Sequence, residues 1–243
     1  MAKISVIGIG PGSAEDMTPR AKAAIEAADV VIGYSAYTEL VRKYFPEKHF
    51  ISSGMAREVE RCGIALEKAH EGKTVALISS GDSGIYGMAG VMLEIAAKTG
   101  SGAPIEVIPG ITAASAAAAV LGAPIMHDFA VISLSDLLTP LELIYRRVES
   151  AAQGDFVICL YNPKSKNRSF HIEKTRDIVL KYRKGNTPVG IVRNAYRENE
   201  EFDVTTLSDM PAFEIDMFTT VIIGNSQTYV ENGRIITPRG YKL

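Results

Sequence analysis

The chain has no tryptophan and only two cysteines, Cys62 and Cys159, each in or beside an apolar run and far apart in sequence. That scarcity excludes a disulfide framework and a cysteine metal cluster, and both residues read as buried thiols. Histidine is sparse too, and His49, His70 and His171 lack companions at metal-ligand spacing, so no protein-bound metal is expected. Neither sign of charge dominates: 26 Lys and Arg against 28 Asp and Glu leave a net −2. Such a balance offers no global footprint for nucleic acid or an anionic membrane, and any anionic partner must be met by local clusters. The longest nearly apolar run, Ile111 to Met126, is Ala-rich and shorter than the ~18 residues of a membrane span. The opening MAKISVIG enters a strand pattern at once, without the charged start and apolar middle of a signal peptide. These absences lead to the expectation of a soluble, cytoplasmic protein.

What is present is an alternation. Short β-branched runs at Lys3 to Ile7, Val30 to Gly33, Thr74 to Ser79 and Ile105 to Ile108 read as strands. Between them Pro19 to Ala28, Met55 to Glu71, Ile85 to Lys98 and Thr112 to Leu121 read as helices, which implies βαβ units and a mostly parallel sheet. Gly72 and Gly122 stand where helix C-terminal stops usually fall. The rhythm changes around Gly122-Ala-Pro124. Strands are then expected at Phe129 to Leu134, Phe156 to Tyr161, Pro188 to Arg193 and Thr220 to Gly224, with helices at Thr139 to Ala152 and near His171 to Arg183, and a weakly alternating segment at Phe202 to Leu207. Val230 to Thr237, turning on Asn232-Gly233, reads as a hairpin. With 243 residues, 47% of them hydrophobic, the chain can bury a substantial core. The fold class expected is α/β, with two α/β domains, 1–123 and 124–243. The first sheet is expected to be mainly parallel and the second mixed, with a ligand cleft between the domains.

Three glycine-containing clusters follow strands. Gly8-Ile9-Gly10-Pro11-Gly12 lies after the first strand, where glycine lets backbone approach a ligand. It is a poor dinucleotide fingerprint, because Ser13 stands at the third glycine position and Pro11 removes an amide donor. A tight turn with no ligand is the bland alternative. In Ser79-Ser80-Gly81-Asp82-Ser83-Gly84-Ile85-Tyr86-Gly87, Asp82 either receives hydrogen bonds from a ligand or caps the following helix, and spacing alone favours the cap. Pro109-Gly110-Ile111-Thr112-Ala113-Ala114-Ser115 places Thr112 at a plausible N-cap before small residues, which suit close approach to a flat ligand or close packing equally. Basic residues collect after two later strands, in Asn162-Pro163-Lys164-Ser165-Lys166-Asn167-Arg168 and in Arg193-Asn194-Ala195-Tyr196-Arg197. Both are read as a rim for a multiply anionic small molecule or as solvated surface. His127 and Asp128 sit just past the proposed junction, close enough in sequence to share a cleft, although a lone histidine is more often structural.

In this order the clusters resemble the tetrapyrrole methyltransferases, S-adenosylmethionine enzymes of two α/β domains. The likeness runs over essentially the whole chain, from Val6-Ile7-Gly8-Ile9-Gly10-Pro11-Gly12 with Thr18, through Gly81-Asp82, to Pro109 to Ser115. Many relatives carry Gly-Asp-Pro at the second cluster, where this chain has Gly81-Asp82-Ser83-Gly84. With His127 to Pro140 and Leu160-Tyr161-Asn162-Pro163, that departure is similar to the precorrin-3B carbon-17 methyltransferase branch, which includes the anaerobic cobalt-factor III enzymes. The resemblance implies methyl transfer to carbon 17 of a corrin precursor with contraction of the macrocycle, in cobalamin biosynthesis. It places the methyl donor near Pro11, Gly81, Asp82, Ile85, Thr112, Ala113, Asn162, Ala195 and Thr220. For the substrate, Gly10 would line a trough for the macrocycle, and Lys164, Lys166, Arg168, Arg193 and Arg197 would meet its acetate and propionate arms. His127, Asp128, Asp136 and Tyr161 are the candidates for acid–base work in ring contraction. A homodimer is expected from the resemblance, with no nucleic acid and no membrane as partner. The alternatives are a same-fold methyltransferase acting on another corrin-ring carbon, on diphthine or on ribosomal RNA, a dinucleotide-dependent oxidoreductase, and a non-catalytic tetrapyrrole-binding protein.

Overall fold

The central strands of the first half are short apolar runs buried on both faces. The computed structural model describes residues 2–165 and 170–242, and the chain divides into two units, Met1–Ala113 and Ala114–Leu243. In the first, β1 (Ile4–Gly8), β2 (Val30–Tyr34), β3 (His49–Ser53), β4 (Val75–Ser79) and β5 (Ile105–Ile108) form one sheet in the order β3-β2-β4-β1-β5. Every pairing in it is parallel. Helices α1 (Pro19–Glu26), α2 (Ser35–Arg42), α3 (Glu58–His70) and α4 (Met88–Thr99) make the crossovers. Ile4, Val6, Val30, Ile32, Val75 and Leu77 face one side, against Cys62, Ala65 and Leu66 of α3 and Ala89 and Met92 of α4. Ile7, Val31, Ala76 and Ile78 face the other, against Ala21 and Ile25 of α1 and Val41 of α2. Burial on both faces explains why these strands read as nearly continuous apolar runs. Each fully buried Ile or Leu among them contributes about 1.5–3 kcal/mol.

The second unit is built on a mixed sheet. Its elements are α5 (Ala113–Leu121), β6 (Gly122–Ala123), β7 (Phe129–Ser133), α6 (Leu141–Gln153), β8 (Val157–Tyr161), α7 (His171–Val179), β9 (Pro188–Arg193), β10 (Glu201–Thr206), β11 (Thr219–Ile223), β12 (Tyr229–Glu231) and β13 (Arg234–Ile236). The main sheet runs β10-β9-β11-β8-β7, with β7 parallel to β8 and the other pairings antiparallel. The C-terminal hairpin turns on Asn232 and Gly233, both at positive φ (51° and 74°), as a two-residue Asn-Gly turn requires. Its second strand pairs in parallel with β6.

The division between the units falls about ten residues before the expected junction at 123/124, and α5 supplies the reason. Ala114, Ala117, Ala118 and Leu121 pack against Val157, Cys159, Val192 and Ile222 of the second sheet and Ile235 of β13. The small side chains of α5 therefore serve helix-on-sheet packing. Ile144, Val148, Ile172 and Ile178, from α6 and α7, cover the opposite face over Ile158, Leu160, Val189, Ile191, Val221 and Ile223. Among the described residues no helix is long and apolar enough to cross a membrane.

Candidate active site

In an open parallel sheet, ligands collect beyond the carboxyl ends of the strands, and in the first unit three of the singled-out clusters meet there. The β1 and β4 loops close on each other as an isolated bridge. Gly10 N–H donates to Gly81 O at 3.1 Å, Gly81 N–H to Gly10 O at 2.8 Å, and Ile9 N–H to Ser79 O at 2.9 Å. Gly10 has φ +73°, and a Cβ there would stand 2.7 Å from the Asp16 carbonyl, so the turn itself demands glycine. The β5 loop comes equally close, since a Cβ on Gly110 would lie 2.2 Å from Gly81 O and 2.6 Å from Gly8 O. Three backbones thus touch where a side chain would hold them apart.

Asp82 ties these loops together. Its Oδ1 accepts from Gly84 N–H at 2.8 Å and its Oδ2 from Gly110 N–H at 3.0 Å. The expected helix cap is corrected by this geometry: α4 starts at Met88, three residues after the expected Ile85, and Ser79 Oγ accepts the Met88 N–H at 3.0 Å. Ser83, fully buried, places its hydroxyl 3.3 Å from both Val6 O and Ile108 O. Ile85 and Ile111 remain exposed beside Gly81 and Thr112, and Tyr86 is held at φ 54° with its side chain outward. Pro11 is buried within the first turn.

In the second unit one sheet edge gathers most of the remaining candidates. Parallel pairing aligns Ser133 with Tyr161, and the antiparallel neighbours bring Thr219 and Thr220 of β11 and Arg193 of β9 to the same edge. Asn162, at φ 50°, donates from Nδ2 to Ser133 Oγ at 3.0 Å. Asn194, Ala195 and Tyr196 follow β9 there, with Asn194 and Tyr196 also left-handed. Tyr161 Oη accepts the Ala114 N–H at 2.7 Å and so fixes the first turn of α5. That engagement makes Tyr161 a helix anchor.

His127 and Asp128 lie elsewhere. They precede β7, whereas Asp136 and Tyr161 follow β7 and β8, so the two pairs stand at opposite ends of five-residue strands, roughly 17 Å apart at ~3.3 Å per residue. Neighbourhood in sequence is not neighbourhood at the edge. His127 Nδ1 accepts from Asp128 N–H at 2.8 Å, and both side chains are largely exposed. Asp136 stays at the edge, with Oδ2 3.2 Å from Nε2 of the buried His171. Arg193 is committed within its own unit: it pairs with Asp216 at 3.0 Å, Glu201 at 3.5 Å and Glu214 at 3.7 Å. An incoming carboxylate would meet these three beside the guanidinium. Lys164 and Arg197 stand on the loops leaving β8 and β9, while Lys166 and Arg168 lie outside the described residues.

Residues 3–211 match the family model for Tetrapyrrole (Corrin/Porphyrin) Methylases. The chain belongs to the tetrapyrrole methylase family. It is 52% identical over 240 residues to a Salmonella typhimurium protein named "Probable cobalt-factor III C(17)-methyltransferase", covering 99% of this chain and 100% of that one. It is 51% identical to the "Cobalt-factor III methyltransferase" of Priestia megaterium, over 99% of this chain but 45% of that longer protein. The crystal structure of the methyltransferase CobJ superposes with a TM-score of 0.91 at 34% identity, covering 98% of this chain and 100% of that one.

Within this tetrapyrrole methylase, sequence reasoning passed over Ser79, Ser83, Ser133 and His171. The serines act through bonds to backbone or to Asn162, which leave no spacing signal. His171 meets Asp136 from 35 positions away in sequence, and only the fold brings them together. Burial pushes the Cys62 thiol up to about 11 and the Cys159 thiol to about 12, as expected of inert core thiols. Among the described residues no group of three or more His, Cys, Asp or Glu is placed to hold a metal ion.

Proposed function

We propose that this tetrapyrrole methylase transfers a methyl group from S-adenosylmethionine to carbon 17 of a corrin precursor, precorrin-3B or cobalt-factor III, with ring contraction, in cobalamin biosynthesis. The observation that carries the donor assignment is the closure of the first loop. The amides of Ile9, Gly10 and Gly81 are all engaged with backbone, and Pro11 has none to offer, so a pyrophosphate would find few donors there. A donor without phosphate loses nothing by that arrangement, which disfavours the dinucleotide-dependent oxidoreductase. The substrate assignment rests on the family and on the names of the relatives.

The donor's partners proposed in the first unit are Pro11, Gly81, Asp82, Ile85, Thr112 and Ala113, and in the second Asn162, Ala195 and Thr220. They fit an adenosyl group chemically: exposed apolar Ile85 and Ile111 suit a purine face, and small or glycine positions admit close backbone approach. When bound, S-adenosylmethionine supplies an electrophilic methyl and a good leaving group. The residues need only place that methyl in line with a nucleophilic ring carbon. Lys164 and Arg197, with Lys166 and Arg168, are proposed for the carboxylate arms of the substrate. Asp136 is the acid–base candidate best placed for ring contraction, where one positioned group supplies ~10²–10⁴-fold. We further propose a cytoplasmic homodimer, to be checked by cell fractionation and sedimentation.

Incubation with methyl-labelled S-adenosylmethionine and each macrocycle, followed by mass and NMR analysis, tests this reading. Label on carbon 17 of a contracted ring supports it and identifies the substrate. Label on another carbon assigns the chain to a different step on the ring, and donor binding without any transfer defeats the substrate assignment.

A further inference from the structure

The geometry points to His171 as a positioning residue that holds the Asp136 carboxylate at the carboxyl edge of the second sheet, an inference that rests on the reading under Proposed function. Asp136 lies in the loop between β7 and α6, beside Leu137 and Leu138, which are 72% and 92% exposed. His171, the first residue of α7, has a side chain only 2% exposed, and its Nε2 stands 3.2 Å from Asp136 Oδ2, while Asp136 keeps 38% of its side chain open. His171 therefore holds the carboxylate from its buried side.

Packing alone does not account for His171. Among the described residues its Nδ1 is buried without a hydrogen-bond partner, as is the nearby Tyr145 hydroxyl, and an unsatisfied buried polar group disfavours folding. A leucine would fill the space between the Phe170 and Tyr145 rings, 4.6 and 6.3 Å from the imidazole centroid, without that cost. A carboxylate can only accept, so the Asp136 oxygen facing Nε2 calls for a proton on that nitrogen, which then donates to Asp136. Burial first, then the charges of Asp136 and Glu142, hold the hydroxyl of Tyr145 on α6 above its ordinary range and hence un-ionised.

The test uses the full chain with the labelled donor and whichever macrocycle the wild type accepts. His171→Leu removes the donor, His171→Gln keeps an amide N–H near the Nε2 position, and Asp136→Asn removes the carboxylate. Expected for His171→Leu is a fall in kcat for contracted product of at least tenfold, with macrocycle KM and donor Kd within about twofold of wild type. His171→Gln should recover most of that loss. Adding His171→Leu to Asp136→Asn should lower kcat no further, and retention of kcat in His171→Gln remains a test even if the leucine variant folds poorly. Wild-type kcat in His171→Leu, equal damage from Leu and Gln, or additive losses in the double variant would each overturn the assignment. Wild-type enzyme that labels neither macrocycle overturns the Proposed function, and this inference with it.

Discussion

Alanine at Gly110 would place a methyl 2.2 Å from Gly81 O and 2.6 Å from Gly8 O, and neither oxygen belongs to a side chain that could swing away. The β5 loop must retreat by about 1 Å to restore ordinary contact, at the ~1–3 kcal/mol typical of overpacking. Retreat also stretches the 3.0 Å bond from Gly110 N–H to Asp82 Oδ2. A bond to an ionised carboxylate is worth about 1.5–3 kcal/mol, so Gly110→Ala should destabilise by about 3–5 kcal/mol. Asp82→Ala, which removes that bond and the more exposed one to Gly84, should cost about 2–4 kcal/mol by the same measure. Because both variants break the Gly110–Asp82 bond, their effects cannot add. Urea unfolding of wild type, the two single variants and the double variant measures the shortfall, which should equal the shared bond at about 1.5–3 kcal/mol. Additivity to within ~0.5 kcal/mol, the usual result for independent sites, would refute the claim that Asp82 braces the loops through Gly110.

Three further outcomes are expected. Tyr161→Phe deletes the acceptor for the Ala114 N–H and should lower stability by ~1–2 kcal/mol in a thermal melt; an unchanged melting temperature would deny that the hydroxyl anchors α5. With thiols pushed to about 11 and 12, Cys62 and Cys159 should resist a thiol reagent at pH 8 in the folded protein and react fully in denaturant, since roughly one in a thousand or fewer is thiolate. Lys3 first and then Arg20 hold the Glu106 carboxyl below its usual range. Its stabilising contribution is present at neutral pH and lost as pH falls through that lowered value, so the melting-temperature gap between wild type and Glu106→Gln should close in acid, and added salt should narrow it at pH 7.

Several strands were plain in the sequence: Ile105–Ile108 and Pro188–Arg193 have the expected bounds, because β-branched runs with turn residues at each end admit few other readings. Helix α2 and strand β3 escaped notice. Ser35–Arg42 is eight residues long and has no side-chain cap, and His49–Ser53 is a largely exposed edge strand carrying two serines. The first residues of α4 were misjudged because its cap comes from Ser79, nine positions upstream. At the site, the glycine clusters and Asn162 were legible because a tight turn or a left-handed backbone restricts residue choice locally. Asp82, Arg193 and His171 were not, since the partner of each stands 23 to 35 positions away and charge or spacing says nothing of it. His127 and Asp128 attracted a role by adjacency, which a strand of five residues then separated from the opposite edge.

Because α5 closes one face of the second sheet, the place to cut this chain differs from the place where its composition changes. A fragment beginning at residue 124 would lay Val157, Cys159, Val192 and Ile222 open to water along one broad side, and such a surface invites association with copies of itself. A fragment beginning a few residues before Ala113 carries its own cover, along with the amide that Tyr161 requires. Anyone expressing this half alone, fusing a reporter to it or looking for a protease-resistant core should set the boundary ahead of the helix.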